Sequence, residues 1–267
     1  MLLKHARDFS QSAQELGGTL SGDIHVGAFL TLAVRFMPPL LARFARLEPR
    51  IAISLQEGDQ EELMAMLASG RIELALGYNY ALTDEVEADP LAELPPHVVV
   101  SATHPLAGRG CVSLTDLADE PFILLDLPHS RDCLFGLFRA VGVEPRIVFR
   151  TRSQELIRGL VAHGHGYGIQ NAIPATTTAY DGGEIAVLAI AEALPPTRVM
   201  CLRLKRHAMR PGGDRLRGVS ARRLRAGRAV RARVNNRAPD RSGAAALGRR
   251  ERGGCSPPPP VPTPPAP

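Results

Sequence analysis

The side chains best suited to metal chemistry are spread through this sequence in patterns that do not form a metal site. Zinc cages and disulfide frameworks use closely spaced cysteines, often in CxxC pairs. No such spacing occurs here, so we expect reduced thiols whose ordinary role is packing. His163 and His165 stand two residues apart in a glycine-rich turn without cysteine or acidic partners nearby in the sequence, and we expect neither a metal nor a cofactor. The four cysteines are Cys111, Cys133, Cys201 and Cys255.

The sequence also lacks a set of side chains that matches a known catalytic pattern. Ser153, Asp126 and His129 are present, but nothing around them resembles a GxSxG nucleophile elbow or a pair of catalytic carboxylates. The GHGYG string at 164–168 follows a predicted helix and opens a strand, which is the reverse of a dinucleotide-binding fingerprint. We therefore expect a protein that is not an enzyme. An α/β enzyme remains a third class of function, and it would need a catalytic set that these patterns do not contain.

The charge distribution separates the chain into two regions. Residues 211–267 contain 13 Arg and 3 acidic residues, whereas the other 210 residues contain 19 basic and 24 acidic side chains. The larger region thus has no excess of positive charge for phosphate binding. No run of about 18 uncharged apolar residues appears, and the N-terminus has no basic segment followed by an apolar stretch. We expect no membrane partner and a cytoplasmic location.

The hydrophobic periodicity predicts alternating strands and helices. Residues 1–16 have the spacing of the end of an amphipathic helix, and residues 23–77 follow the order strand, helix, strand, helix, strand. Pro38 and Pro39 lie within the first of these helices, at about 31–47, and we expect them to split or kink it. Strands joined by such helices form parallel crossovers, which indicates an α/β fold.

A second unit repeats this plan from the strand PFILLD onward. A helix at about 130–141, the strand PRIVFRT, a helix at 153–163 and the strand GYGIQN follow in turn. Two similar βαβαβ units, with later strands near 185–190 and 197–205 able to return to the first, indicate two lobes. In such sheets, ligands bind beyond the carboxyl ends of the strands, where helix N-termini also point.

Four ordered segments resemble the effector-binding domains of LysR-type bacterial transcriptional regulators. Residues 21–76 contain a strand, a helix with prolines, a strand ending in a glycine turn, and a helix ending in glycine before an acidic residue and a strand. HPLAG at 104–108, SLTDLADEPFILL at 113–125 and HGHGYGIQNAIPA at 163–175 match the family's HPL element, its short helix and strand, and its glycine-rich turn. The resemblance covers about residues 1–207.

The resemblance implies a two-lobed, type 2 periplasmic-binding-protein-like α/β fold in which each lobe is a βαβ-based, Rossmann-like sheet. The basic, proline-rich C-terminal segment has no visible apolar periodicity and is expected to be disordered. It is either a basic arm that contacts nucleic acid or, as we favour, the product of a lost reading frame.

The resemblance also implies how the chain is divided. Residues 1–20 are a remnant of the linker and dimerisation helix, residues 21–208 are the effector-binding domain, and residues 209–267 are the tail. Within the effector-binding domain, lobe I covers about 21–91 and 186–208, and lobe II covers about 105–180.

The function implied by the resemblance is control of transcription in response to a small metabolite, such as an organic acid, an aromatic acid or an amino acid. Family members form homo-oligomers, and dimers or tetramers are expected here. They bind promoter DNA through an N-terminal winged helix-turn-helix that this sequence lacks, so this chain alone should bind effector but no operator. The alternative is a solute-binding protein of a transport system, which shares the fold. The absence of a secretion signal argues against it.

By position in the family pattern, five residues are candidates for effector binding. Phe29 and Thr31 lie at the first strand-to-helix turn, Tyr78 follows the third strand, Ser130 opens the second-lobe helix, and Gln170 ends the GYGIQ strand. Hydroxyls and backbone N–H groups at helix N-termini satisfy the acceptors of a small polar ligand. We expect the two lobes to face each other across a gap lined near Thr31 and Ser130.

Each candidate also has a structural explanation. Thr31 and Ser130 could serve as helix caps, and Gln170 could stabilise a turn. Phe29 replaces the hydroxyl or small residue often found at this turn, which indicates either a ligand with an apolar part or a smaller cleft. For Asp59, capping of the next helix is the better explanation.

Overall fold

The computed structural model describes residues 21–173, 176–206 and 211–221, and within them the chain forms two compact units. The first unit contains the described residues up to Leu94, Leu127–Ser130, and those from Pro196 onward. The second unit contains Pro95–Asp126 and the described residues of Arg131–Pro195. The predicted remnant helix at 1–20 and residues 222–267 of the predicted tail lie outside the described residues.

The elements alternate as the sequence pattern predicts. The strands are β1 (Gly22–Phe29), β2 (Ile51–Gly58), β3 (Leu74–Tyr78), β4 (Val86–Leu94), β5 (His97–Ser101), β6 (Cys111–Val112), β7 (Pro121–Leu125), β8 (Arg146–Thr151), β9 (Gly168–Gln170), β10 (Ile185–Ile190) and β11 (Thr197–Leu204). The helices are α1 (Leu30–Leu47), α2 (Gln60–Ala68), α3 (Ser130–Ala140) and α4 (Gln154–Ala162), with 3₁₀ turns at Ala107–Arg109 and Leu114–Leu117.

The sheet of the first unit has the strand order β2-β1-β3-β11-β4. Strands β1, β2 and β3 are parallel, with α1 and α2 as the crossover helices, whereas β11 pairs antiparallel with both β3 and β4. Strands β1 and β3 are rich in buried apolar residues, as expected for strands covered on both faces, whereas the edge strand β2 buries Ile51 alone among its apolar side chains. Because the three strands run in one direction, their carboxyl ends lie at one edge of the sheet.

Helix α1 is one helix of 18 residues that passes through Pro38 and Pro39. Of the two predicted effects, a split is therefore wrong, and a kink stays a prediction. A proline at position 38 removes the hydrogen bond to the carbonyl of Val34. Val34 is 79% exposed, so water can solvate that carbonyl instead. The opposite face of the helix is held by buried apolar side chains that include Leu40 and Phe44.

The prediction that Asp59 caps the second helix is confirmed. Its side chain accepts a hydrogen bond from the backbone N–H of Glu62 at 3.0 Å, while the Glu62 carboxylate accepts one from the backbone N–H of Asp59 at 2.7 Å. This capping box satisfies two N–H groups that the helix itself cannot pair. It therefore fixes where α2 begins after β2.

The second unit contains a four-stranded sheet of order β6-β10-β5-β9 and a parallel pair, β7-β8. Tyr167 connects them through a parallel bridge to Phe122, and its N–H donates to the Pro121 carbonyl at 2.9 Å. A side chain at Gly166 would collide with that same carbonyl, and Gly166 has a φ of 140°. Close approach of two backbones thus accounts for a glycine in the GHGYG turn.

Strand β10 belongs to the second unit, although the sequence analysis assigned residues from 186 to lobe I. It pairs antiparallel with β5 and parallel with β6, and only β11 returns to the first sheet. The second unit likewise begins at Pro95 rather than near residue 105. Local sequence pattern identifies these strands but does not specify their partners, which explains the error.

Residues 211–221 form a further helix, α5, where the sequence analysis predicted disorder. Leu216 and Val219 are 1% and 3% exposed, and this i, i+3 pair is an apolar signal that the analysis overlooked. A side chain at Gly212 would contact Ile24 of β1 at 2.8 Å and Ile51 of β2 at 3.3 Å. The glycine therefore allows the helix backbone to approach the sheet closely.

Helix α5 extends across one face of the first sheet. Two ion pairs hold it: Arg215 Nη1 lies 3.3 Å from Glu48 Oε1, and Arg217 Nη1 lies 2.8 Å from Asp89 Oδ2 on β4. Asp89 is the register partner of Cys201 on β11, so both side chains point to the face that α5 covers. Exposed ion pairs stabilise little, so buried apolar contacts hold most of this helix in place.

We predict that Leu216→Ala lowers the free energy of unfolding by about 2–5 kcal/mol, because it leaves a cavity between α5 and the sheet. Arg215→Ala, at a side chain that is 62% exposed, should lower it by less than about 1 kcal/mol. Urea unfolding followed by circular dichroism measures both. Equal, small effects would show that α5 does not belong to the folded core.

Candidate functional site

The candidate site lies at the carboxyl edge of the first unit, where β1, β2 and β3 end at Phe29, Gly58 and Tyr78. Helix α1 starts immediately after Phe29, which occupies the N-cap position without a side-chain hydrogen bond to the helix. The first turn of α1 has no acidic residue. Its N-terminal N–H groups thus lack the side-chain acceptor that Asp59 supplies to α2 and Ser153 to α4. This helix end therefore attracts an acceptor or an anion.

A pair of hydroxyl groups lies beside this helix end. Thr31 Oγ1 and Tyr78 Oη are 3.0 Å apart, close enough for a hydrogen bond between residues separated by 47 positions. Thr31 is the second residue of α1 and Phe29 occupies the cap position, so the alternative explanation of Thr31 as the helix cap is wrong. The hydroxyl pair provides both donor and acceptor capacity at the start of α1.

Aromatic rings surround the hydroxyl pair. The Phe29 and Tyr78 rings meet edge to face with centroids 4.9 Å apart, and the Tyr78 and Tyr80 rings lie 5.1 Å apart. The Tyr80 hydroxyl donates to Thr197 Oγ1 at 3.4 Å. Phe29 is fully buried, so it shapes the site by supporting Tyr78. The site thus combines hydroxyl groups with aromatic rings.

The sequence analysis missed Gln60, which belongs to the same edge. Gln60 is the first residue of α2 and is fully buried. Its Nε2 donates to the backbone carbonyls of Tyr78 at 3.3 Å and Tyr80 at 2.9 Å, while its Oε1 is buried without a hydrogen-bond partner. A polar residue directly after a predicted cap was the available signal. Its partners, about 20 residues away, were not visible in the sequence.

Ser130 and Gln170 occupy different places in the fold. Ser130 opens α3 as predicted, but the segment Leu127–Ser130 is grouped with the first unit and not with the second lobe. In that segment His129 has a φ of 61°, and its Nε2 lies 3.6 Å from Glu61 Oε1 at the start of α2. This places the segment Leu127–Ser130 beside α2 within the first unit. The effector role of Ser130 stays a prediction.

Gln170 ends β9 in the second unit and is 3% exposed. Its Nε2 donates to the backbone carbonyl of Gln154 at 3.3 Å, and its Oε1 is buried without a partner. Gln154 in turn donates from Nε2 to the carbonyl of Ala172 at 3.3 Å. Gln170 thus links β9 to α4, while its free acceptor keeps a ligand role open as a prediction.

The histidines of the glycine-rich turn have separate partners. His163 Nε2 lies 3.0 Å from Asp181 Oδ2, and the His165 ring lies edge to face with Phe149 at 5.7 Å. In the described part of the chain, no group of three or more His, Cys, Asp or Glu side chains is arranged to hold a metal ion. Within the same residues, no helix has the length and apolar character needed to cross a bilayer.

With this geometry in place, comparison with known proteins identifies the family. The LysR substrate binding domain family matches residues 17–225. The chain belongs to this family. LysR effector-binding domains have the two-lobed, type 2 periplasmic-binding-protein-like fold, so the predicted family and fold class are confirmed. The match includes α5, which agrees with its packing against the sheet.

Several regulators of this family are similar to the chain in sequence or in structure. The DNA-binding transcriptional dual regulator OxyR of Escherichia coli K12 is 30% identical over 176 residues, which cover 64% of this chain and 57% of that protein. The crystal structure of HinK, a LysR family transcriptional regulator from Pseudomonas aeruginosa, is 33% identical with a TM-score of 0.75, covering 84% of this chain and 76% of that one. The C-terminal domain of a probable LysR family regulator from Rhodococcus sp. RHA1 is 32% identical with a TM-score of 0.72, covering 75% and 100%.

The LysR-family chain spans a little over half the length of the curated relatives it matches first. These relatives are transcriptional regulators, and nothing in the comparisons supports the alternative of a solute-binding protein for transport. The chain is therefore an effector-binding domain of the LysR type.

We predict that Cys201 does not react with thiol reagents in the folded LysR-type domain. Burial, followed by the charge of Asp89, raises the pKa of its thiol from 9.0 to about 12, so it stays protonated at pH 8. In a DTNB assay of the folded protein, Cys201→Ser should show the same amount of fast-reacting thiol as the wild type. Cys133→Ser, which removes a half-buried thiol, should show less. A smaller fast phase in Cys201→Ser than in the wild type would contradict the burial of Cys201.

The same raised pKa has a consequence for stability. The unfolded chain presents an ordinary thiol that ionises near pH 9.0, while the folded chain keeps its proton up to about pH 12. The resulting stabilisation is complete below pH 9 and is lost as the pH rises toward 12.

Proposed function

We propose that this domain binds a small effector molecule and transmits its presence to transcription as part of a cytoplasmic, non-enzymatic LysR-type regulator. The observation that carries the proposal is the start of α1. Its N-terminus lacks a side-chain cap, and the hydroxyls of Thr31 and Tyr78 lie beside it at the carboxyl edge of three parallel strands. In open α/β sheets, ligand crevices lie at this edge. DNA contact is proposed for the regulator as a whole.

The proposed effector has an acceptor group and an apolar part. A carboxylate or similar group suits the positive end of an 18-residue helix, because the unpaired N–H groups there favour negative charge. The hydroxyls of Thr31 and Tyr78 add hydrogen bonds, and the half-buried Tyr80 ring, which lies against the buried Tyr78 ring, offers apolar surface. Organic acids, aromatic acids and amino acids all meet this description.

Effector binding is tested by thermal-shift measurements against panels of those three ligand classes, since a ligand that binds only the folded state raises Tm. Thr31→Val and Tyr78→Phe should each weaken the best ligand by about tenfold, the equivalent of one lost hydrogen bond. Thr177→Val, in the second unit and bonded to Glu184, is the matched control and should leave the affinity unchanged. A panel without any stabilising ligand, or variants that bind as well as the wild type, would refute this site.

We further propose that copies of the chain associate through exposed apolar residues of α1, β8 and α4. Val34 is 79% exposed on α1, Phe149 is 42% exposed on β8, and Leu156 is 53% exposed on α4. Among the described residues, strand β8 pairs with β7 alone. Exposed large apolar residues together with an open strand edge favour self-association.

We predict that Val34→Glu and Phe149→Glu each shift the protein from dimer or higher oligomer toward monomer, because a charge placed at either position must be desolvated on association. Sedimentation velocity measures the change. Tyr180→Glu is the control, because Tyr180 is 95% exposed on a loop that carries none of these apolar residues. A wild-type protein that sediments as a monomer at micromolar concentration would refute the proposal.

A further inference from the structure

The amide of Gln60 holds the chain as it leaves β3. One nitrogen, Nε2, donates to the backbone carbonyls of both Tyr78 and Tyr80. A single side chain thus binds the backbone on both sides of Asn79. Carbonyl oxygens only accept hydrogen bonds, and this fixes which end of the amide faces them. Gln60 therefore has one defined orientation in a fully buried position.

The segment held in this way carries both tyrosines of the candidate site. Tyr78 directs its hydroxyl to Thr31 at the start of α1, and Tyr80 directs its hydroxyl to Thr197 at the start of β11. From the opposite side, Asn79 exchanges two hydrogen bonds with the backbone of Arg198, at 3.1 and 3.2 Å. Gln60 is thus the residue of α2 that fixes the backbone position of Tyr78 and Tyr80.

Gln60 itself has little freedom to move. The Asp59–Glu62 capping box fixes the first turn of α2, and the amide lies close to Gly77, where an added Cβ would be in van der Waals contact with Gln60 Oε1 at 3.4 Å. That oxygen is buried without a hydrogen-bond partner. An apolar side chain of equal length would fill the space without an unpaired acceptor. The property that only the glutamine supplies is donation to the two carbonyls.

The second unit contains the same arrangement. Gln154 is the first residue of α4 after its cap, as Gln60 is the first residue of α2. Its Nε2 donates to Ala172, two residues beyond the end of β9, just as Gln60 donates to Tyr80, two residues beyond the end of β3. The arrangement thus recurs at the carboxyl end of a strand in each unit.

We propose that Gln60 is the positioning residue that places the hydroxyls of Tyr78 and Tyr80 in the effector site. The importance of this placement for binding rests on the proposed function, but the placement itself does not. Loss of the Nε2 donor releases the two carbonyls, and the tyrosine pair changes its orientation while the rest of the fold persists.

The test is tyrosine ¹³Cζ NMR on the full chain, which has four tyrosines and therefore four resonances that Tyr→Phe variants assign. Gln60→Met keeps the side-chain length and helix propensity but removes the donor. The Tyr78 and Tyr80 resonances should shift or split, whereas those of Tyr167 and Tyr180, in the second unit, should stay in place. Gln154→Met is the matched control and should leave Tyr78 and Tyr80 unchanged.

Unchanged Tyr78 and Tyr80 resonances in Gln60→Met would overturn the proposal. If that variant does not fold, Gln60→Leu takes its place, because an apolar side chain cannot donate to a carbonyl either. Loss of all four native resonances in both variants would assign Gln60 to general stability and would also overturn it. Failure of the proposed function is distinguishable, since it would show as ligand binding unaffected by Thr31→Val, with the Gln60 result intact.

Discussion

The parallel pairing of β1 with β2 and β3 is the constraint on which the candidate site depends. Crossovers through α1 and α2 bring the chain back so that each of the three strands ends at the same edge of the sheet. Three strand ends, and the helix starts that follow two of them, therefore converge although they are far apart in sequence. Antiparallel pairing of any one strand would move its end, and its polar residues, to the opposite edge.

The two helices that begin at this edge differ in how their N-termini are capped. Helix α2 has a complete capping box, so its N-terminal groups are partly satisfied by its own side chains. Helix α1 starts after a buried phenylalanine whose side chain cannot accept a hydrogen bond, and the hydroxyls of Thr31 and Tyr78 lie beside this helix end. A protein that needed stability alone would gain from a cap there. The missing cap is a local cost in stability, and it falls at the proposed effector site.

On the face that α5 covers, the sheet is closed to water. Leu216 and Val219 of this short helix are buried, and Gly212 permits close approach of the helix backbone to the sheet. The raised pKa of the Cys201 thiol reflects the same exclusion of water. The candidate site thus belongs to an end of the sheet, while stability comes mainly from its faces.

The sequence by itself determined the order of strands and helices, the start of α1 near Phe29, the cap at Asp59 and the family resemblance, because these depend on short-range pattern and on local hydrogen bonding. It also placed Phe29, Thr31 and Tyr78 at strand ends, since their neighbours define those ends. Only the tertiary structure decided that Thr31 bonds Tyr78, that Gln60 holds the chain between Tyr78 and Tyr80, that β10 joins β5, and that residues 211–221 pack as a helix. Each of these depends on partners distant in sequence, and such pairings are selected by the packing of the whole unit and not by local propensity.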